Sequence, residues 1–116
     1  MLSWTPALIA QLLRHPEAAL AANQALLVLI QHRGGLAAFF SQLLTLPLRS
    51  NSRLLLERLV SDPRASMLRH ADELHVSPPK LYAIRRGLLD ELSVYLNDPW
   101  RGFGPPPEGG AGGSAA

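Results

Sequence analysis

The sequence of 116 residues contains no cysteine, which excludes a disulfide framework, a thiolate zinc site and a cysteine nucleophile. The chain has eleven cationic side chains, of which only Lys80 is a lysine, and nine carboxylates, so the formal net charge is only +2. No apolar run reaches the ~18 residues of a spanning helix, and the best run, residues 18–30, contains Asn23 and Gln24. No basic segment precedes the first apolar residues, as a secretory signal requires. We therefore expect a soluble, cytoplasmic protein.

Apolar residues recur at helical spacing along most of the chain, and no stretch alternates as a strand does. Proline and small polar residues mark the predicted helix starts, among them Thr5 before Pro6 and Ser77 before Pro78. The pattern predicts an all-α, compact bundle of about five to six helices. Their approximate ranges are 6–15, 16–33, 36–44, 53–60, 64–74 and 79–97.

The composition changes near the C-terminus. The segment "PWRGFGPPPEGGAGGSAA" is rich in proline, glycine and small residues, which cannot build a core. We expect one all-helical domain over residues 1–98 and a flexible, disordered tail over residues 99–116.

A pair of glycines, Gly34 and Gly35, interrupts the apolar segment "LIQHRGGLAAFFSQL" of residues 29–43. Glycine enters the left-handed conformation cheaply, so Gly34 is suited to follow a helix and Gly35 to let the next helix turn back. A phosphate-binding loop is the rival interpretation, but no strand precedes the pair and no P-loop pattern surrounds it. The pair predicts a tight helix–helix corner.

The segment "ADELHVSPPKLYAIRR", residues 71–86, fits a helix-turn-helix pattern, so the second half of the chain is expected to be homeodomain-like. Five apolar side chains take the buried positions of that pattern: Ala71, Leu74, Val76, Leu81 and Ile84. His75 takes the turn position that favours a positive φ. Five side chains would then face DNA, where arginine reads guanine and cations neutralise phosphates: Ser77, Lys80, Tyr82, Arg85 and Arg86.

Three features favour a purely structural role for this segment. His75 stands where the turn usually has glycine for its positive φ, although histidine tolerates that region better than a branched residue. Arg86 and Asp90 have the i,i+4 spacing of an ion pair. The second half of the same helix is apolar over a wide arc, as in a buried helix. DNA binding is therefore the alternative function rather than the first.

Metal binding and catalysis are not expected. His70 and His75 are five positions apart, which is not the spacing that aims two imidazoles at one metal ion. The adjacent pairs Asp72-Glu73 and Asp90-Glu91 point in different directions on a helix, and no serine lies in a nucleophile elbow. We predict no enzyme, no cofactor and no metal site.

The remaining feature is a surplus of apolar surface around the adjacent rings Phe39 and Phe40. An exposed aromatic side chain flanked by leucines is typical of a partner surface, although a wholly buried cluster is an equal alternative. The predicted surface consists of Leu36, Phe39, Phe40 and Leu43, with Trp100 and Phe103 as tail anchors that dock in cis or in trans. The first prediction is a small protein-interaction or assembly module, with self-association possible.

Two stretches resemble the YidB-like small bacterial proteins, a family of unknown function. "NQALLVLIQHRGGLAAFFSQL", residues 23–43, is similar to the start of that family, in which a helix ends in a Gly-Gly pair before a short apolar helix. "LLERLVSDPRASMLRHADELHVSPPKLYAIRRGLLDELSVYLNDP", residues 55–99, is similar to its second half. The resemblance implies an all-α, homeodomain-like bundle and no established biochemistry.

Overall fold

A computed structural model describes residues 3–103, which form seven α-helices and a final 3₁₀ turn, with no strand among them. The helices are α1 (Pro6–Arg14), α2 (Pro16–Ala22), α3 (Gln24–His32), α4 (Leu36–Leu44), α5 (Ser50–Ser61), α6 (Met67–Leu74) and α7 (Pro78–Asn97), and the 3₁₀ turn is Pro99–Arg101. The all-α prediction is confirmed, with one helix more than expected.

The additional helix arises at Asn23, which divides the predicted helix of residues 16–33 into α2 and α3. The backbone of Asn23 is extended, with φ −141° and ψ 100°. Its side-chain Oδ1 accepts a hydrogen bond from the amide of Leu26 at 3.0 Å. The prediction of one continuous helix was wrong because an asparagine side chain competes with the helical backbone and starts a new helix instead.

Side-chain oxygens cap the N-termini of several other helices. Thr5 caps α1 through the amide of Leu8, and Ser77 caps α7 through the amide of Lys80, as predicted. Ser66 caps α6 through the amide of Arg69 at 3.1 Å, so this helix begins at Met67, three residues after the predicted start at residue 64. Each of these caps satisfies an amide that has no partner within its own helix.

The N-terminus of α5 forms hydrogen bonds with a residue that is distant in the sequence. The Glu91 carboxylate on α7 accepts the Arg49 amide at 2.9 Å and the Ser52 hydroxyl at 2.6 Å. Because this carboxylate takes the capping role, α5 begins at Ser50, three residues before the predicted start at residue 53. The cap also fixes α5 against α7.

The long helix α7 contacts several of the other helices and contributes several side chains to the core. It packs against α1, α5 and α6, and its fully buried side chains are Leu81, Leu88, Leu92 and Leu96. Fully buried leucines and isoleucines from the other helices face them, including Ile9, Leu12, Leu55 and Leu56. The burial of these side chains is the main source of the stability of the bundle.

The Gly34-Gly35 pair forms the predicted corner between α3 and α4. Both residues have positive φ, +101° and +99°, a region that side chains other than glycine rarely enter. The Gly35 amide bonds the Ile30 carbonyl at 2.9 Å, which closes the end of α3. A Cβ at Gly34 would lie only 3.1 Å from the Cβ of Ala38.

The packed chain continues past the predicted domain boundary at residue 98. Residues 99–101 form the 3₁₀ turn, and Phe103 is buried. The start of the tail was predicted too early because Phe103 finds an aromatic partner in the core: its ring lies edge-on to Phe39, 5.9 Å away. The rest of the predicted tail, residues 104–116, lies outside the described residues.

Candidate functional site

The predicted partner surface around Phe39 and Phe40 is largely core. Phe39, Leu43 and Phe103 are 0%, 1% and 4% exposed, so they form the buried cluster that the sequence left open as the alternative, and Phe103 docks in cis on the core. The reason is the Trp4 ring, which stacks on Phe39 at 5.7 Å and buries it. Leu36 and Phe40 are half-buried and pack against the same core.

Trp100 is the one predicted anchor that lies open to solvent, with 94% of its surface exposed. Its backbone is nevertheless firmly held. The Asp98 carboxylate accepts the Trp100 amide at 3.0 Å, and Arg101 stacks on the Tyr95 ring at 4.7 Å. Trp100 is therefore an exposed aromatic side chain on an ordered support.

Helices α6 and α7 pack on each other where the helix-turn-helix segment of residues 71–86 was predicted, and α5 packs on both of them. Three residues, His75 to Ser77, separate α6 from α7, which is the length of the turn in this motif. His75 has φ 58° and ψ 42°, the left-handed conformation expected for this position. The Val76 amide bonds the Ala71 carbonyl at 3.0 Å and closes α6.

The apolar residues of the motif lie on the inner side, as predicted. Ala71 and Leu81 are buried, and Leu74, Val76 and Ile84 are half-buried against the core. The first half of α7 therefore has one packed face and one open face, which is the arrangement that a recognition helix requires.

The open face of α7 carries most of the predicted DNA-contacting side chains. Ser77, Lys80 and Arg86 are exposed, Tyr82 is 48% exposed, and Arg85 is half-buried. The expected ion pair between Arg86 and Asp90 is absent. Within residues 3–103 the only ion pairs below 4.0 Å are Arg58–Asp62 and Arg101–Asp98. Arg85 and Arg86 are thus free of carboxylate partners in this part of the chain.

Carboxylates border this face at both ends. Asp72 and Glu73 are exposed on α6 before the turn, and Asp90 is exposed one turn beyond Arg86. The Glu91 carboxylate already accepts hydrogen bonds from two groups at the start of α5. The positive charge is therefore confined to residues 80–86, a short segment suited to few phosphate contacts.

His70, whose spacing from His75 argued against a shared metal ion, is a core residue. It is 0% exposed, and neither ring nitrogen has a hydrogen-bond partner. Burial, followed by the nearby Arg58 cation, lowers the pKa of His70 below its usual value, and Asp62 opposes this shift. His70 therefore stays neutral inside the helix-turn-helix unit at neutral pH. Its burial matches the helical spacing of Met67, Ala71 and Leu74, in which His70 takes the i+3 position, so this spacing was the signal that could have found it.

No group of three potential metal ligands occurs among residues 3–103, and none of their helices is long and apolar enough to cross a membrane. No family model, curated protein or solved structure matches the chain. The resemblance to the YidB-like proteins therefore stays a prediction that rests on the apolar pattern and on Gly34-Gly35.

Proposed function

We propose that the α5–α7 unit binds double-stranded DNA, with the first half of α7 in the major groove. The observation that carries this proposal is the division of α7 into two faces. Leu81 and Leu88 on the inner face are fully buried, whereas Lys80 and Arg86 on the outer face are exposed. A helix fixed by its inner face can place its outer side chains against base edges without reorganising.

The outer side chains have complementary roles in such a complex. Arg86 can neutralise a phosphate on a duplex of any sequence and also has the donors for a bidentate contact with guanine at a specific site. Lys80 has the point charge that neutralises a phosphate. Tyr82, like Ser77 at the start of the helix, has a hydroxyl group that can donate a hydrogen bond to the phosphate backbone of DNA. Because neither Arg85 nor Arg86 has a carboxylate partner in the described part of the chain, no ion pair has to break on binding.

Titration of a fluorescently labelled random-sequence duplex tests this proposal. If Lys80, Arg85 and Arg86 each neutralise one phosphate, affinity should fall about 40-fold between about 50 and about 200 mM salt. Arg86→Ala should weaken binding and reduce the salt dependence. Arg101→Ala, in the 3₁₀ turn that follows α7, is the control at the other end of the helix and should leave both unchanged. A duplex that stays unbound at low salt, or equal losses for the two variants, contradicts the proposal.

A second candidate function is protein interaction or self-association, which the ordered but 94% exposed Trp100 favours. Tryptophan is among the residues most enriched in the energetic centres of interfaces. Trp100→Ser should then reduce the size of the particle in analytical ultracentrifugation. An unchanged, monomeric sedimentation coefficient for both proteins excludes self-association through this residue.

A further inference from the structure

An open groove lies along one flank of α7, between the first half of this helix and the start of α5. It has a volume of about 390 Å³, and residues of both helices line it. The α5 side consists of residues 49–52, and the α7 side consists of Lys80, Ala83, Ile84, Gly87 and Glu91. Because Lys80 also lies on the outer face of α7 that is proposed to contact DNA, the groove is continuous with that face.

Two cationic residues line this groove, Arg49 from the start of α5 and Lys80 from α7. Both are exposed, and within residues 3–103 neither is in an ion pair. Glu91 is the only carboxylate among the lining residues, and its oxygens are engaged by the Arg49 amide and the Ser52 hydroxyl. The two cations therefore stay available to a negatively charged partner.

Gly87 keeps the α7 side of the groove open. Of residues 3–103 it is the only glycine inside a helix, where glycine is less favourable than alanine. The fold does not require glycine at this position, because its φ is not positive and a Cβ would meet nothing within 4 Å. The missing side chain instead leaves space in which the backbone of a partner can approach α7 closely.

We propose that this groove receives the sugar–phosphate backbone of one DNA strand and that Arg49 neutralises one of its phosphates. A helix with its side chains is about 10–12 Å across and the major groove is about 12 Å wide, so a bordering strand lies against the flank of the helix. The first amides of α5, those of Ser50 and Asn51, have no partner within that helix and can donate to the same strand. This contact rests on the proposed function and extends the DNA-binding surface from α7 to α5.

The salt dependence of duplex binding tests the contact made by Arg49. With one phosphate neutralised by Arg49 in addition to the three of Lys80, Arg85 and Arg86, affinity should fall about 150-fold between about 50 and about 200 mM salt. Arg49→Ala should bind more weakly at low salt, and its affinity should fall only about 40-fold over the same range. Arg101→Ala removes the same charge outside the groove and should keep the wild-type salt dependence.

Filling the groove should have the same effect as removing the Arg49 side chain. Gly87→Gln adds a long neutral side chain on the α7 side, which should hold the strand away from Arg49 and reduce the salt dependence to that of Arg49→Ala. Gly87→Ala is the matched control: it also favours the helix but adds only a methyl group, so it should bind as the wild type does. Circular dichroism checks that each variant is folded.

The double variant Arg49→Ala/Gly87→Gln tests whether both changes act on one contact. If they do, its salt dependence should equal that of either single variant rather than fall further. A Gly87→Gln variant that binds as tightly as the wild type, or a double variant with two separate losses, would mean that no strand enters the groove.

Failure of the groove contact is distinguishable from failure of the proposed function. A duplex that stays unbound at low salt contradicts both. A wild-type salt dependence of about 40-fold, lowered by Arg86→Ala and unchanged by Arg49→Ala, supports DNA binding through α7 and overturns the groove contact. Equal losses for Arg49→Ala and Arg101→Ala also overturn it, because the effect of Arg49 would then be one of net charge alone.

Discussion

Trp4 and Asn97 form two hydrogen bonds with each other across 93 positions of the chain. The Trp4 amide donates to Asn97 Oδ1 at 3.0 Å, and the Asn97 side-chain amide donates to the Trp4 carbonyl at 2.8 Å. A single asparagine side chain thus pairs with both backbone groups of Trp4 and fastens the segment before α1 to the end of α7.

Loss of this pair should destabilise the fold. Asn97→Ala removes two hydrogen bonds, each with a net value of about 0.5–1.5 kcal/mol, so the free energy of unfolding should fall by about 1–3 kcal/mol. Asn97→Asp keeps the acceptor but loses the donor and should therefore be destabilising too. Urea unfolding gives both values. Asn51→Ala, at an exposed position, is the control, and an equal loss there would show that the pair contributes nothing specific.

The two aromatic residues near the C-terminal end of the described chain should respond in opposite ways. Phe103→Ala removes a buried ring and should lower the free energy of unfolding by about 3–5 kcal/mol. Trp100→Ala removes an exposed ring and should change it by less than about 0.5 kcal/mol. Thermal unfolding followed by circular dichroism separates the two, and similar losses would contradict the packing described for Phe103.

The turn between α6 and α7 should become more stable when its left-handed residue is replaced by glycine. His75 has φ 58°, which costs a residue with a Cβ about 1–2 kcal/mol. His75→Gly relieves this cost but gives the unfolded chain more freedom, so a net gain of about 0.5 kcal/mol is expected. His75→Val should lose about 1 kcal/mol, because branching at Cβ disfavours this region. If guanidinium unfolding ranks valine above glycine, the turn is not strained.

Burial of His70 should make the fold sensitive to mild acid. Its pKa in the folded protein lies below the ordinary value of 6.5, mainly because burial disfavours the charged ring and also because Arg58 is near. Well above pH 6.5, His70 is neutral in both the folded and the unfolded protein, so its titration does not change the free energy of unfolding. As the pH falls below 6.5, His70 of the unfolded chain binds a proton first. The free energy of unfolding therefore decreases until the pH reaches the lower pKa that His70 has in the folded protein.

His70→Leu should remove this dependence, because leucine fills the same space without a titrating group. Between about pH 7.5 and 5.5, the free energy of unfolding should therefore fall more for the wild-type protein than for the variant. His32→Gln, at an exposed histidine, should follow the wild-type curve. Parallel curves for wild type and His70→Leu would mean that His70 does not titrate differently on folding.

The features that sequence reasoning predicted correctly depend on near neighbours in the chain. The caps at Thr5 and Ser77 act three residues ahead, and the left-handed conformations of Gly34 and His75 depend on the adjacent turn. The open face of α7 follows from its apolar spacing. Local chemistry decides all of these, so the helix-turn-helix unit was predictable.

The errors concern contacts between distant segments. Stacking by Trp4 places Phe39 in the core, and the pattern around Phe39 alone does not reveal that ring. Glu91 is an acidic neighbour of Asp90 in the sequence, but in the fold it caps a helix that begins 41 residues earlier, at Ser50.

The closure around Trp4 has a consequence for the order in which the chain acquires its structure during synthesis. The Trp4 indole donates to the Phe103 carbonyl, 99 positions away. A ribosome that has made only α1 to α4 leaves Trp4 and Phe39 without the ring that completes their cluster. This cluster can therefore be completed only after residue 103 has been synthesised, so the last contacts of Trp4 and Phe39 form after all seven helices have been made.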